Sequence, residues 1–205
     1  MTAASFWDKT APKYALSRIS DQAAYDTTME RVRAHLNSND NVLEVGCGTG
    51  STALIQAGGV HSYVGADISP GMLKIANEKL ESTPVEGLSF KVSDVFASEM
   101  ERETFDAVLG FNIYHLVKDL DVAFLRARDL IRPGGLFITK TPCLGKKWYL
   151  RPVVAAMQLV DKAPFVGFLT VEDYDAAVKK AGFEIIETGL YPPSAPSRFV
   201  VARKR

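Results

Sequence analysis

Between residues 42 and 142 the chain repeats one unit: a short apolar run, a turn, then a stretch with helical spacing. Residues 42–45, 62–67, 88–96, 105–112 and 135–142 are the apolar runs. The fourth, FDAVLGFN, is nearly continuous in apolar residues, as a strand buried on both faces must be. Between the runs lie SPGMLKIANEKL, with Ser69 placed to cap a helix and Pro70 at its first position, and DLDVAFLRARDLI, which RPGG stops. Such alternation has one economical solution, a parallel sheet covered by helices on both faces. Residues 5–37, ahead of it, read as helical, with Tyr25, Met29, Val32 and Leu36 tracing one face. Residues 145–169 break the alternation. TVEDYDAAVKKAG then restores a helix, capped by Thr170 and stopped by Gly182. FEIIETGLY and SRFVVARKR follow as two strands joined by a proline-rich turn, close enough to pair antiparallel.

A length of 205 residues suits one domain, and 47% hydrophobic residues suffice for a core. Lys plus Arg and Asp plus Glu number 24 each, a balance that argues against a nucleic-acid binder. The basic end ARKR reads as a solvated chain end. The opening MTAASFWDKTAPKY has no signal-peptide pattern, and the apolar stretch 152–160 is too short to span a membrane, so the expectation is a cytoplasmic protein. Cys47, Cys143 and three scattered histidines make no zinc pattern and no disulfide framework. Of the histidines, His35 reads as a helix-end residue and His61 as a surface one.

The first strand runs into VLEVGCGTG, where Gly46, Gly48 and Gly50 follow Glu44. A strand, a glycine turn and a helix form the usual nucleotide entrance, at the carboxyl ends of the strands. A dinucleotide fold wants G-x-G-x-x-G with a pyrophosphate on the helix N-terminus. Here the spacing is G-x-G-x-G, and Glu44 would repel a pyrophosphate. S-adenosyl-L-methionine has no phosphate and carries an ammonium and a sulfonium, so a carboxylate beside it helps. Asp67, ending the second strand, can accept hydrogen bonds from ribose hydroxyls. Asp94, ending the third, is placed to accept from an adenine amino group while the Val95 N–H serves a ring nitrogen. Met72 either packs on the adenine or belongs to the core.

In order along the chain, VLEVGCGTG, VGADISPGML, VSDVF, FDAVLGFNIYHLV and LIRPGGLFITKTP resemble the consecutive motifs of class I S-adenosylmethionine-dependent methyltransferases. They are closest to the small-molecule branch of the ubiquinone- and menaquinone-biosynthesis type. The resemblance implies a Rossmann-like α/β fold: a seven-stranded sheet, order 3-2-1-4-5-7-6, with strand 7 antiparallel and an N-terminal helical cap. FWDKTAPKYA is similar to the FD-x-x-A-x-x-Y helix that caps the cofactor in this branch, with Trp7 interrupting the pattern. Implied cofactor contacts are Tyr14, Glu44, Gly46, Cys47, Gly48, Gly50, Asp67, Ile68, Met72, Asp94, Val95, Asn112 and Ile113. The implied organisation is a single domain over 1–205: a cap (1–38), the cofactor core (39–142), an apolar insertion (143–170), and a helix with an antiparallel strand pair (171–205).

The segment FNIYHL is not the Asn-Pro-Pro-Tyr type that methylates an amide or an adenine amino group. His115 is the general-base candidate, its ordinary pKa suiting neutral pH, and equally a mere pocket-lining residue. Trp7, Tyr114, Trp148 and Tyr149 are the candidate acceptor contacts. Cys47 is small enough to pack inside the loop, and Cys143 borders the expected pocket without any mark of reactivity. The apolar residues of 145–169 serve as a lid for a hydrophobic acceptor, as packing on the sheet edge or a dimer contact, or as a membrane-docking face beside Lys146, Lys147 and Arg151. The expected function is in-line methyl transfer to a small apolar or amphipathic acceptor, by a monomer or homodimer that uses no metal. The rivals are a methyltransferase of protein or RNA, a non-catalytic cofactor-binding module, and an NAD-dependent oxidoreductase.

Overall fold

The computed structural model describes residues 2–97, 99–193 and 197–205. The chain opens with two helices, α1 (Ala3–Ala15) and α2 (Gln22–Arg33). The expected single helical stretch is therefore broken. Leu16 ends α1, and Asp21 starts α2 by accepting from the Ala24 N–H at 2.9 Å.

Alternation follows: β1 (Asn41–Val45), α3 (Ser51–Gln56), β2 (Ser62–Asp67), α4 (Pro70–Ser82), β3 (Leu88–Val92), β4 (Phe105–Phe111), α5 (Leu120–Leu130) and β5 (Ile131–Pro142). The last elements are α6 (Arg151–Leu159), α7 (Val171–Lys180), β6 (Phe183–Leu190) and β7 (Ser197–Lys204). The seven strands form one sheet in the order β3-β2-β1-β4-β5-β7-β6. All pairings from β3 to β5 are parallel, and β7 runs antiparallel to both neighbours. Part of the turn between β6 and β7, residues 194–196, lies outside the described residues.

The caps are those the sequence announces. Ser69 Oγ accepts from the Met72 N–H with Pro70 at the first helical position, and Thr170 forms a capping box with Asp173. The stop at RPGG differs: β5 already begins at Ile131, and its register against β4 jumps from Ile131 to Leu136, so those residues bulge out of a strand that resumes at GLFITKTP.

Two apolar layers hold the sheet. Tyr114, Phe124, Phe137, Tyr174 and Phe183 fill the side covered by α5 and α7. Their rings meet edge-on, apart from the stacked Phe137–Phe183 pair at 4.9 Å. Val32, Ala53, Tyr63, Leu109, Ile138 and Phe199 fill the side covered by α2 and α3. The chain end departs from its solvated reading. Lys204 closes β7 at 7% exposure, donating to the Ile131 carbonyl at 2.6 Å and to Glu103 at 3.1 Å. No helix among the described residues is long and apolar enough to cross a membrane.

Candidate active site

β1, β2, β4 and β5 end along one edge of the sheet, and two cavities of about 560 and 370 Å³ open there. Tyr14, Gly46, Gly48, Phe111 and Asn112 line both, so one cleft is divided at the glycine loop.

The loop owes its shape to backbone that only glycine adopts cheaply: φ is +67°, +55° and +72° at Gly46, Gly48 and Gly50. A Cβ at Gly50 would lie 2.6 Å from the Phe90 ring, whereas one at Gly48 would meet only Tyr14, at 3.7 Å. Gly50 is therefore glycine for packing and lies outside both linings, while Gly48 presents bare backbone to the cleft. Lys79 clamps the loop to α4, its Nζ donating to the Thr49 carbonyl (2.9 Å), Thr49 Oγ1 (3.1 Å) and Ser51 Oγ (3.1 Å).

Asp67 holds the loop from the other side. Its Oδ2 accepts from the Gly48 N–H and its Oδ1 from the Ser69 N–H, both at 2.9 Å. Burial raises its pKa against these two bonds. A carboxylate has about four acceptor positions, so ribose hydroxyls can still find two. Asp94 is similarly engaged, its Oδ1 accepting from the Phe96 N–H (2.9 Å) and the Ala97 N–H (3.0 Å).

Asp67, Ile68, Met72, Asp94, Val95, Asn112 and Ile113 line the smaller cavity together with Trp7 and Tyr14. Met72 is 2% exposed and forms part of the wall. The aromatic side comes from α1, hung over the β2–α4 turn by Asp8, whose Oδ1 accepts from Ser69 Oγ (2.6 Å) and the Gly71 N–H (2.8 Å). Asn112, just after β4, has φ +56°, a left-handed conformation that Asn tolerates better than most residues. That turn swings Ile113 against Gly46, where an added Cβ would stand 2.7 Å from its side chain.

The larger cavity contains Glu44 and Cys47. Glu44 is 2% exposed, and its Oε2 accepts from the Tyr63 hydroxyl at 2.8 Å. Burial pushes its carboxyl up to about 8, a rise that the Tyr63 bond opposes and the charge of Asp67 reinforces. Burial also pushes the Cys47 thiol far up, so it is inert packing. The far walls are Lys147, which the sequence reading set beside a membrane-docking face, and residues it left unassigned: Arg18, Asp21 and Thr28 around α2, Phe111 on β4, Lys140 on β5, and Tyr191 after β6. The Tyr25 hydroxyl on this wall is buried without a well-formed hydrogen bond among the described residues.

Four expected acceptor or catalytic residues stand elsewhere. Tyr114 is 1% exposed, its ring wedged against Phe124 (4.9 Å) and Phe137 (5.5 Å), so it is core. His115, on the 3-10 turn Tyr114–Leu116, is in neither lining. Its Nδ1 is buried without a partner among the described residues, and burial drops its pKa to about 4, which leaves a weak base. Trp148 and Tyr149 are 72% and 56% exposed on the turn before α6, outside both linings. Of the insertion only Leu144 and Lys147 reach the cleft, so its aromatic residues do not roof the cavity in this structure. Cys143 is core, at 2% exposure.

A sheet of this order, with a glycine loop between two strand-end carboxylates, defines the class I methyltransferase fold. A family profile described as a methyltransferase domain matches residues 36–181, and the chain belongs to that family. Among curated proteins, the highly reducing polyketide synthase pspA of Penicillium soppii is 29% identical over 170 residues, which cover 73% of this chain and 6% of that protein. The chain thus spans a small part of the length of the curated relatives it matches. An S-adenosylmethionine-dependent methyltransferase from Mesorhizobium loti shares the fold with a TM-score of 0.73 at 19% identity, over 89% of this chain and 98% of that one. The [4+2]-cyclase SpnF shares it with a TM-score of 0.75 at 18% identity, over 91% and 83%.

Proposed function

We propose that the chain transfers a methyl group from S-adenosyl-L-methionine to a small, partly apolar acceptor. The observation that carries this reading is Glu44. A carboxyl buried beside a second carboxylate, with no basic side chain of the chain paired to it among the described residues, suits an incoming cation, which favours its ionised form. The other donors and acceptors fit the same cofactor. Asp67 keeps acceptor positions for a ribose, Met72 and Ile68 offer apolar faces to an adenine, and Gly48 lets backbone approach.

Bound S-adenosylmethionine supplies a methyl already activated on sulfur. What remains for the protein is to orient the acceptor and exclude water. No histidine lines either cavity, so the acceptor brings its own lone pair or arrives ionised. An acceptor oriented there would take the methyl with its own electron pair, and the pair of the broken carbon–sulfur bond would stay on sulfur. We assign the smaller cavity to the adenosine part and the Glu44 side of the larger one to the amino-acid part. The space bounded by Ile19, Phe111, Lys140, Leu144 and Tyr191 then takes the acceptor. A small-molecule acceptor is in keeping with polyketide synthase relatives, as it is with a quinone-type ring. We read residues 1–205 as one working unit, with 39–142 holding the cofactor. The cap 1–38, Leu144 and Lys147 of the insertion 143–170, and Tyr191 from 171–205 close the acceptor side. The unpaired, buried Cys47 and Cys143 suit the reducing cytoplasm in which we place it.

The test is a calorimetric titration with S-adenosylhomocysteine and with NAD, followed by incubation with methyl-labelled S-adenosylmethionine and a fractionated cell extract. Binding of the homocysteine product alone is expected, with label in low-mass, organic-extractable material. NAD binding in its place refutes the cofactor assignment; label in protein or RNA refutes the acceptor class.

A further inference from the structure

The acceptor side of the larger cavity carries a charge that the methyl-transfer chemistry does not use. Arg18, Lys140 and Lys147 line it against Asp21 and Glu44. Asp21 caps α2 and lies beyond ion-pair distance of Lys140, though its charge reaches that ammonium, and Glu44 accepts from the Tyr63 hydroxyl. Arg18 and Lys147 belong to loops at the rim. Lys140 differs, because it sits on β5 inside the sheet.

Strand alternation explains how a lysine comes to be there. Thr139 and Thr141 point to the opposite face, where both hydroxyls meet the buried Tyr174 hydroxyl at 2.8 and 3.4 Å. Lys140 must then point to the α2 face and into the cleft. Its Nζ donates to Thr28 Oγ1 at 3.0 Å, and the Thr28 hydroxyl in turn donates to the Ala24 carbonyl at 2.6 Å. An ammonium has three donors. One is met by a neutral hydroxyl, and no carboxylate of the described residues lies within ion-pair distance. The Lys140 carbonyl accepts from the Asn112 N–H at 2.8 Å, so the residue is tied by its backbone to the point where β4 delivers Asn112 to the cofactor cavity. A half-buried cation with spare donors, fixed on a strand beside the reacting space, is suited to bind a substrate anion. A cofactor bearing an ammonium and a sulfonium would make the cleft more positive still.

We propose that Lys140 is the acceptor-recognition residue, and that the acceptor is an organic anion whose carboxylate or phosphate monoester meets the Lys140 ammonium while its apolar part lies along Ile19, Phe111 and Tyr191. This rests on the assignment of the larger cavity to the acceptor. Thr28 is the positioning residue, holding the ammonium at the wall.

The test uses protein saturated with S-adenosylhomocysteine and three probes of one chain length: hexanoate, hexyl phosphate and hexanamide. Calorimetry should show at least one of the two anions binding about tenfold or more tightly than the amide, the scale of a charge-assisted hydrogen bond. Comparison of hexanoate with hexyl phosphate tells which headgroup the site takes. Lys140→Met should remove the preference for the anions over hexanamide. Lys140→Arg should keep a preference, and Lys74→Met, an exposed lysine on α4, should keep all of it. Thermal unfolding of each variant confirms that it folds. Equal binding of amide and anions to the wild type, or unaltered anion binding by Lys140→Met, overturns the proposal. So does a matching loss of S-adenosylhomocysteine affinity in Lys140→Met, which would give the ammonium to the cofactor's own carboxylate. Failure of the wild type to bind S-adenosylhomocysteine would instead bring down the methyltransferase reading itself, and this proposal with it.

Discussion

If the cofactor's ammonium pairs with Glu44, binding must expel a proton. Burial holds the Glu44 carboxyl at about 8, so at pH 7 it is roughly nine-tenths protonated in the free protein. An ammonium beside it favours the carboxylate. Binding of S-adenosylhomocysteine at pH 7 should therefore release about 0.9 proton, and its affinity should rise about ninefold between pH 6 and pH 7. The comparison stops at pH 7 because α-amino groups begin to lose their own proton near 7.7. The assay is titration calorimetry in two buffers of different ionisation enthalpy, whose difference counts protons directly. Glu44→Gln should bind more weakly, release no proton and show a flat profile. The same group leaves a mark on stability, with a definite sign. From about 4.5 to 8 the folded protein keeps a proton that the unfolded chain has lost, so stability falls as pH rises through that window. At ~1.36 kcal/mol per pH unit, the loss by pH 8 is on the order of 4 kcal/mol. Glu44→Gln should therefore have a higher urea midpoint than the wild type at pH 8, with the gap closing towards pH 5. Zero proton release by the wild type, together with an unchanged stability gap between pH 5 and pH 8, would refute the reasoning.

Gly50→Ala should lower stability by about 2–4 kcal/mol, from left-handed strain plus the Phe90 clash, whereas Gly48→Ala should lose only about 1–2 kcal/mol yet bind S-adenosylhomocysteine poorly. Chemical denaturation and ligand titration of the two variants separate the effects. Glu187 on β6 accepts from Arg31 Nε at 2.7 Å and lies 2.7 Å from His35 Nε2, and the Arg31 bond is the chief reason that its pKa falls to about 2. Its contribution, about 1 kcal/mol after solvent screening, is present above pH 4.5 and lost as pH falls towards 2, so Glu187→Gln should narrow the wild-type difference in urea midpoint between pH 7 and pH 3. Tyr174→Phe should cost about 1–3 kcal/mol by leaving Thr139 unpaired in the core, read as a lower midpoint with unchanged S-adenosylhomocysteine affinity.

The parallel half of the sheet is legible because each strand is short, apolar and bounded by its own turn, and Ser69 and Thr170 cap their helices by local geometry alone. The break between α1 and α2 is not legible in the same way. The face of Tyr25, Met29 and Val32 marks α2 well, but no glycine or proline interrupts 16–21, and α1 is held in place by Asp8, which fastens its middle to the turn before α4. The tail ARKR misleads for a related reason. Charge alone signals solvent, yet the Lys204 side chain runs along the sheet edge and brings its ammonium to a carbonyl and a carboxylate.

At the site, legibility follows how far apart in sequence the contacts lie. The expected cofactor contacts cluster within a few residues of single strand ends, such as Glu44 to Gly48, Asp67 to Met72, Asp94 with Val95, and Asn112 with Ile113. Each cluster therefore announces itself locally. The wall proposed for the acceptor is assembled from α2, β5 and the residue after β6, and Thr28 meets Lys140 across 112 positions of chain. No local pattern encodes such a pair. The expectation for FNIYHL fails at Tyr114 and His115 because the turn after Asn112 sends the Tyr114 ring into the core and leaves His115 outside both linings, its carbonyl tied to the Gly167 N–H at 2.6 Å. Period-two alternation does hold the missing clue: with Thr139 and Thr141 committed to the Tyr174 side, Lys140 must face the ligand edge. A lysine so placed in a buried strand is costly unless something binds it, and that cost is the physical reason to look for the acceptor's anion there.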